Sequence, residues 1–171
     1  GISTEVLRTM VLRGWLLEGR HRILRDSYEK LEAWKETLEL TAEQQAAIQA
    51  VDAARKAREP RTFLLQGITG SGKTEVYLRL TDRALANGGQ VLVLVPEIAL
   101  TGQTVKRFKA WFGSAVAVAH SRLSASERAD VWQKMRSGQA RVLIGVRSAV
   151  FCPFSNLSLI ILDEEHEGSY K

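Results

Sequence analysis

One run of eight residues limits the folds open to this chain more than any other. Gly67-Ile68-Thr69-Gly70-Ser71-Gly72-Lys73-Thr74 fits the pattern G-x-x-x-x-G-K-[ST] at every position. Glycines at Gly67, Gly70 and Gly72 let the backbone curl until successive N–H groups converge on one anion, and a helix starting at Lys73 would aim its positive end at the same place. A loop of this kind needs a strand before it and a helix after it. The apolar run 62–66, "TFLLQ", and the helix-like run 73–87 supply both. The competing reading is a glycine-rich structural turn, which would not need a lysine and a hydroxyl at its end. With phosphate bound, Lys73 reaches the β- and γ-phosphates and the Thr74 hydroxyl binds Mg²⁺, so ATP and Mg²⁺ are the expected ligands.

The rest of the chain fits the architecture such a loop demands. Short apolar runs recur at 62–66, 91–95, 115–120, 141–146 and 157–163, and helix-like segments at 73–87, 101–112 and 124–137 separate the first four. Near-continuous Val/Leu/Ile runs mark strands buried on both faces, and intervening helices mark parallel crossovers. The expected fold is α/β, a doubly wound, mostly parallel sheet of the P-loop (RecA-like) kind. Trp111 and Trp132 fall among apolar helix positions and are expected in the core.

Upstream, residues 40–55 read as a helix with Thr41 at its N-cap and Gln44 three positions on, the capping-box spacing. A shorter helix starts near Ser3 and stops at Gly14, and "WLLEGRHRI" after it reads as a small ribbon turning at Glu18 and Gly19. That pair is too small to bury a core of its own. The expected division is therefore 1–25 as the end of another domain, 26–39 as a charged linker and 40–171 as the α/β unit.

Charge is distributed unevenly. Residues 61–162 carry 13 basic and five acidic side chains, whereas residues 1–60 carry ten of each. A basic surplus suits a polyanion such as ATP or nucleic acid, and it also suits a merely well-solvated surface. The one cysteine, Cys152, excludes an internal disulfide and any multi-cysteine metal site within these residues, and its apolar neighbours suggest a structural thiol. No apolar run approaches the ~18 residues of a membrane span, so no membrane partner is expected and a cytoplasmic location is.

A Mg²⁺–nucleotide site also needs a carboxylate at the end of a buried strand. "LIILDEEH" ends one with Asp163, Glu164, Glu165 and His166. Asp163 suits the metal, and Glu164 suits the group that orients and deprotonates an attacking water. His166, two positions after that base, is placed to sense the γ-phosphate. A solvated acidic turn is the competing reading.

A P-loop combined with D-E-x-H is similar to the nucleotide site of superfamily II helicases, the DEAD/DEAH-like group. The longer strings "GITGSGKTEVYL", "VLVPEIALTGQT", "RFKAWFG" and "IGVRSAVFCPFSNLSLIILDEEHEGSYK" closely resemble the primosomal replication-restart helicases within it, over residues 40–171. Upstream, "VLRTMVLRGWLLEG" more faintly resembles the end of a winged-helix domain. The resemblance implies that Gln44 contacts adenine and that Gly67, Thr69, Gly70, Ser71, Gly72, Lys73 and Thr74 hold phosphate and metal. It also implies catalytic roles for Lys73, Asp163, Glu164 and His166, and single-stranded DNA contacts near Pro96, Thr101, Arg147 and Ser148. A guanidinium fork matches phosphate oxygens, which suits Arg147. Thr101 reads equally as a plain helix N-cap. Ala99, Gly102 and Arg122 depart from the family pattern, Arg122 standing where glycine is usual.

The resemblance further implies a 3′-to-5′ DNA motor in the bacterial cytoplasm, nucleoid-associated, acting on forked and single-stranded DNA with primosome and single-strand-binding proteins. An arginine from a second lobe, a strand carrying a Ser-Ala-Thr motif and zinc-binding cysteines lie outside these 171 residues in that family. The chain is thus expected to form an incomplete first helicase lobe that binds Mg–ATP without unwinding DNA alone. Two other readings stand beside it: a primosome-assembly scaffold using ATP as a conformational switch, and a P-loop kinase or transporter ATPase. The "PEIALT" and "GVRSAVF" strings argue against the last.

Overall fold

The computed structural model describes residues 3–16 and 38–164. Helix α1 spans Thr4–Leu12, with the Ser3 hydroxyl accepting from the Val6 N–H and the chain turning away through Gly14 at φ 70°. No residue of α1 is buried. The expected ribbon beyond it and most of the expected linker lie outside the described residues. None of the described helices is long and apolar enough to cross a membrane.

Helix α2 spans Ala42–Ala57 and opens with the expected capping box: the Gln44 N–H donates to the Thr41 hydroxyl, and the Gln44 side-chain oxygen accepts from the Thr41 N–H. It closes on Arg58 at φ 56°. Asp52, buried on α2, pairs with Arg55 of its own helix and with Arg83 of α3 (Lys73–Ala86), which fixes α2 against the helix that follows the glycine loop.

Four parallel strands follow: β1 (Gln90–Leu94), β2 (Val116–Ala119), β3 (Val142–Gly145) and β4 (Leu157–Leu162), in the spatial order β2-β3-β1-β4. The order is non-sequential, and each parallel neighbour is reached by a crossover. Alternate strand residues feed two cores. Val91, Val93, Val118, Val142, Ile144 and Ile161 meet α3 and α4 (Gln103–Phe112) through Leu78, Leu85, Val105 and Phe108. Leu92, Ala117 and Leu143 meet α5 (Ala125–Ser137) through Val131 and Met135 on the other face. Helices on both faces of a parallel sheet make this the expected doubly wound layer structure.

Three expectations are corrected. The run 62–66 is not a strand: it pairs with nothing among the described residues, and Leu64 is 76% exposed. Its composition reports a preference for burial, but a strand also needs a neighbour to accept its ladder. The outer edge of β4 carries no strand among the described residues either, and Ile160 there is 56% exposed. The helix expected over 101–112 divides into a 3-10 turn at Glu97–Thr101 and α4, with Gly102 rather than Thr101 at the N-cap. Trp132 is 38% exposed, because α5 turns Val131 and Met135 inward and sets Trp132 on the next face round. Trp111, by contrast, packs beside the first core against Phe112.

Candidate nucleotide and nucleic-acid site

In a parallel sheet all strands end along one edge, and there the loops collect: 95–102 after β1, 120–123 after β2, 146–151 after β3 and Asp163–Glu164 after β4. Ligands in open α/β sheets bind outside such carboxyl ends.

The glycine loop reaches this edge through α3. Gly70 and Gly72 have φ of 81° and 83°, values that favour glycine, and a Cβ on Gly67 would sit 2.5 Å from the Ser71 hydroxyl oxygen. The curl itself favours glycine at Gly70 and Gly72, and a side chain at Gly67 would push the Ser71 hydroxyl aside. Gly72 caps α3 with no side chain; the Glu75 N–H donates back to the Gly72 carbonyl at 2.9 Å, so the N–H groups of Lys73 and Thr74 at the very start of α3 are the ones presented to an anion. The Lys73 ammonium donates to the carbonyls of Gly67 at 2.7 Å and Ile68 at 3.3 Å. It thus hangs across the loop from which a phosphate would take it.

Gln44 touches the same loop. Its amide nitrogen donates to the Ser71 carbonyl at 3.2 Å while its oxygen stays in the α2 capping box, and a Cβ on Gly72 would collide with it. One side chain caps α2 and holds the glycine loop.

Asp163 is brought to α3 from the far end of the chain. Its backbone N–H donates to the Leu94 carbonyl at 2.9 Å, extending the β1–β4 ladder by one rung. The Tyr77 hydroxyl donates to Asp163 Oδ1 at 3.2 Å. Tyr77 lies three residues after Thr74, hence on the same face of α3, and the contact sets the carboxylate on the side of the helix that carries the Thr74 hydroxyl. Burial pushes the Asp163 carboxyl above its ordinary value, with the Tyr77 hydrogen bond and the Lys73 charge pulling the other way. Burial, and then the Asp163 charge, push the Tyr77 hydroxyl up, so it stays a donor. A hydroxyl and a carboxylate beside an ammonium and a row of N–H groups form a donor set that fits Mg²⁺–ATP. Glu164 follows in the left-handed region at φ 52° and is exposed. Glu165 and His166 lie outside the described residues.

The residues expected at DNA flank this centre. Arg147 and Ser148 are exposed at the start of the 3-10 turn Arg147–Phe151, directly after β3. A Cβ on Gly145 would sit 2.5 Å from Ala149 Cβ and 3.0 Å from the Ala119 carbonyl, which explains the glycine before that turn. Pro96 is buried and starts the turn after β1, with Glu97 exposed beside it. Thr101 ends that turn. The Ser121 hydroxyl donates to the Glu97 carboxylate, joining the loops after β1 and β2, and Arg122 next to it is exposed with no hydrogen bond or ion pair among the described residues.

Two features escape sequence reasoning. Tyr77 is one. The other is Glu75, buried directly behind Thr74, whose carboxylate accepts from Arg79 Nε and from Arg107 Nη2, each at 2.9 Å. Arg107 lies on α4 and Arg79 stacks over Trp111 at 5.2 Å, so the helix bearing the nucleotide loop is clamped to the helix following the 95–102 turn.

Comparison with known proteins agrees with this geometry. The chain is 48% identical over 170 residues to Replication restart protein PriA of Bacillus subtilis (strain 168), covering 99% of this chain and 21% of that protein. It is 53% identical over 133 residues to the protein of that name from Chlamydia pneumoniae, covering 78% of this chain and 18% of that protein. The chain thus spans about a fifth of the length of these curated relatives. Among solved structures, RecG bound to a three-way DNA junction superposes with a TM-score of 0.69 at 30% identity, over 77% of this chain and 19% of that one. The pattern of the DEAD/DEAH box helicases matches residues 41–171, and the chain belongs to that family, as a PriA-like superfamily II motor lobe.

Proposed function

We propose that this lobe is the ATP-binding half of a 3′-to-5′ DNA translocase that acts at stalled replication forks and reloads the replication machinery through primosome assembly. The observation that carries the reading is that one sheet edge holds the glycine loop, Asp163 and the loops 95–102, 120–123 and 146–151 together. The relatives' name, Replication restart protein, and the RecG structure's DNA junction support the choice of substrate.

The residues divide the work as follows. The first-turn N–H groups of α3 and Lys73 bind the phosphates, Lys73 exchanging the Gly67 and Ile68 carbonyls for β/γ oxygens. Thr74 and Asp163 would hold Mg²⁺, which when bound would supply charge neutralisation to the phosphates. Glu164 orients and deprotonates the attacking water, and His166 reads the γ-phosphate. Gln44 contacts adenine by giving up the Ser71 carbonyl, so base binding and loop shape are linked. A second lobe supplies an arginine worth ~10³ to 10⁵ in rate. On the DNA side, Arg147, Ser148, Thr101 and the turn begun by Pro96 track a single strand, and single-strand-binding and primosome proteins join through the rest of the protein, as does zinc.

The test is strand displacement on a forked duplex by full-length protein and its Lys73→Ala variant, alongside loading of primosome partners. A motor loses unwinding. Loss of nothing but ATP-dependent partner loading would replace the motor with a scaffold switched by ATP.

A further inference from the structure

The Tyr77 hydroxyl donates to the carboxylate assigned to the metal side of the site. Its ring is 8% exposed and belongs to the core shared with Leu78, Val93 and Val95, so the position of its hydroxyl is fixed by α3 and the sheet rather than by a loop. The acceptor's backbone is fixed as well, by the Asp163 N–H bond to the Leu94 carbonyl. The Asp163 carboxylate also takes a hydrogen bond from the Glu164 backbone, and the Tyr77 hydroxyl, 3.2 Å from Oδ1, adds a restraint on its rotation that comes from the core rather than from the turn.

We propose that Tyr77 is a positioning residue for the metal site: by holding the Asp163 carboxylate on the Thr74 face of α3, it sets the affinity of the nucleotide site for Mg²⁺. The inference rests on the ATP-site reading above. Groups that orient a metal ligand commonly contribute about 10-fold to 100-fold in metal affinity. The hydroxyl also ties the metal carboxylate to α3, the helix that bears Lys73 and Thr74, so the two halves of the site move as one.

The experiment uses the full-length protein and mant-ADP as probe, titrated over a range of Mg²⁺ concentrations and in EDTA. Tyr77→Phe keeps the buried ring and deletes only the donor. The half-saturating Mg²⁺ concentration is expected to rise about ten-fold, with affinity in EDTA within two-fold of wild type. In an Asp163→Asn background, Tyr77→Phe is expected to add nothing to the Mg²⁺ midpoint. An unchanged midpoint in the single variant, equal loss with and without Mg²⁺, or a fully additive effect in the Asp163→Asn background would each overturn the assignment. If wild-type binding itself ignores Mg²⁺, the ATP-site reading falls first and this inference with it.

Discussion

Glu75 offers the sharpest energetic test of how the nucleotide loop is held. Its side chain is 4% exposed, and its two guanidinium partners are 21% and 33% exposed. Glu75→Gln keeps the volume and one acceptor oxygen, removes the charge, and turns an NH₂ toward a guanidinium that has only donors. A hydrogen bond to a charged group contributes about 1.5–3 kcal/mol. One is lost and one weakened, and solvent reaches both arginines, so the expected cost is about 2–3 kcal/mol. It should fall on the contact between α3 and α4. Native-state amide exchange reads local opening directly: at about 1.4 kcal/mol per factor of ten, slow amides in 73–86 and 103–112 should exchange about 30-fold to 140-fold faster. Those of α5, on the opposite face of the sheet, should hold. Exchange within about three-fold of wild type in both helices would refute the reasoning, as would equal acceleration in α5.

Arg122→Gly should lower the slope of log affinity against log salt for forked DNA by about 0.7–0.9, the value of one phosphate contact; an unchanged slope would take Arg122 off the DNA path. Cys152 should behave as a buried thiol, with burial pushing it up to about 11 from 9.0, so its alkylation by iodoacetamide at pH 8 should run about a hundred-fold slower than that of an exposed thiol. The sign for stability follows. Between pH 9.0 and about 11 the unfolded chain releases this proton while the folded chain keeps it, so stability falls as pH rises through that window, and denaturant titrations at pH 8.5 and 10.5 should show the fall.

What the sequence made legible was local or periodic. The phosphate loop is eight consecutive residues whose geometry depends on glycines at fixed spacing, and the capping box of α2 lies within four residues. The strands β1 to β4 are apolar runs, the first three buried on both faces and β4 exposed along its open side, and their bounds fall within a residue or two of the expected ones. Contacts across the fold were not legible. Tyr77 and Asp163 are 86 positions apart, and nothing in "GKTEVYL" marks its tyrosine as a donor to the strand end. Gln90 is similar: buried at the start of β1, its amide donates to the Met135 carbonyl and accepts from the Ser155 and Asn156 N–H groups, a staple that reads in sequence as a polar residue before a strand. The run 62–66 failed in the opposite sense, since its apolar pattern says what it prefers to bury and nothing of which strand pairs with it. Trp132 was placed inside on hydrophobicity alone, where the neighbours Val131 and Met135 had already taken the inward face of α5.

The central claim is that Lys73, Thr74 and Asp163 form one Mg²⁺–ATP site whose turnover answers to DNA at the same sheet edge. The measurement that tests it most directly is steady-state ATP hydrolysis by the full-length protein with and without a forked DNA, in wild type and in Lys73→Ala. The account predicts strong acceleration by the fork and its abolition in Lys73→Ala. Hydrolysis indifferent to the fork, or surviving without Lys73, would contradict it.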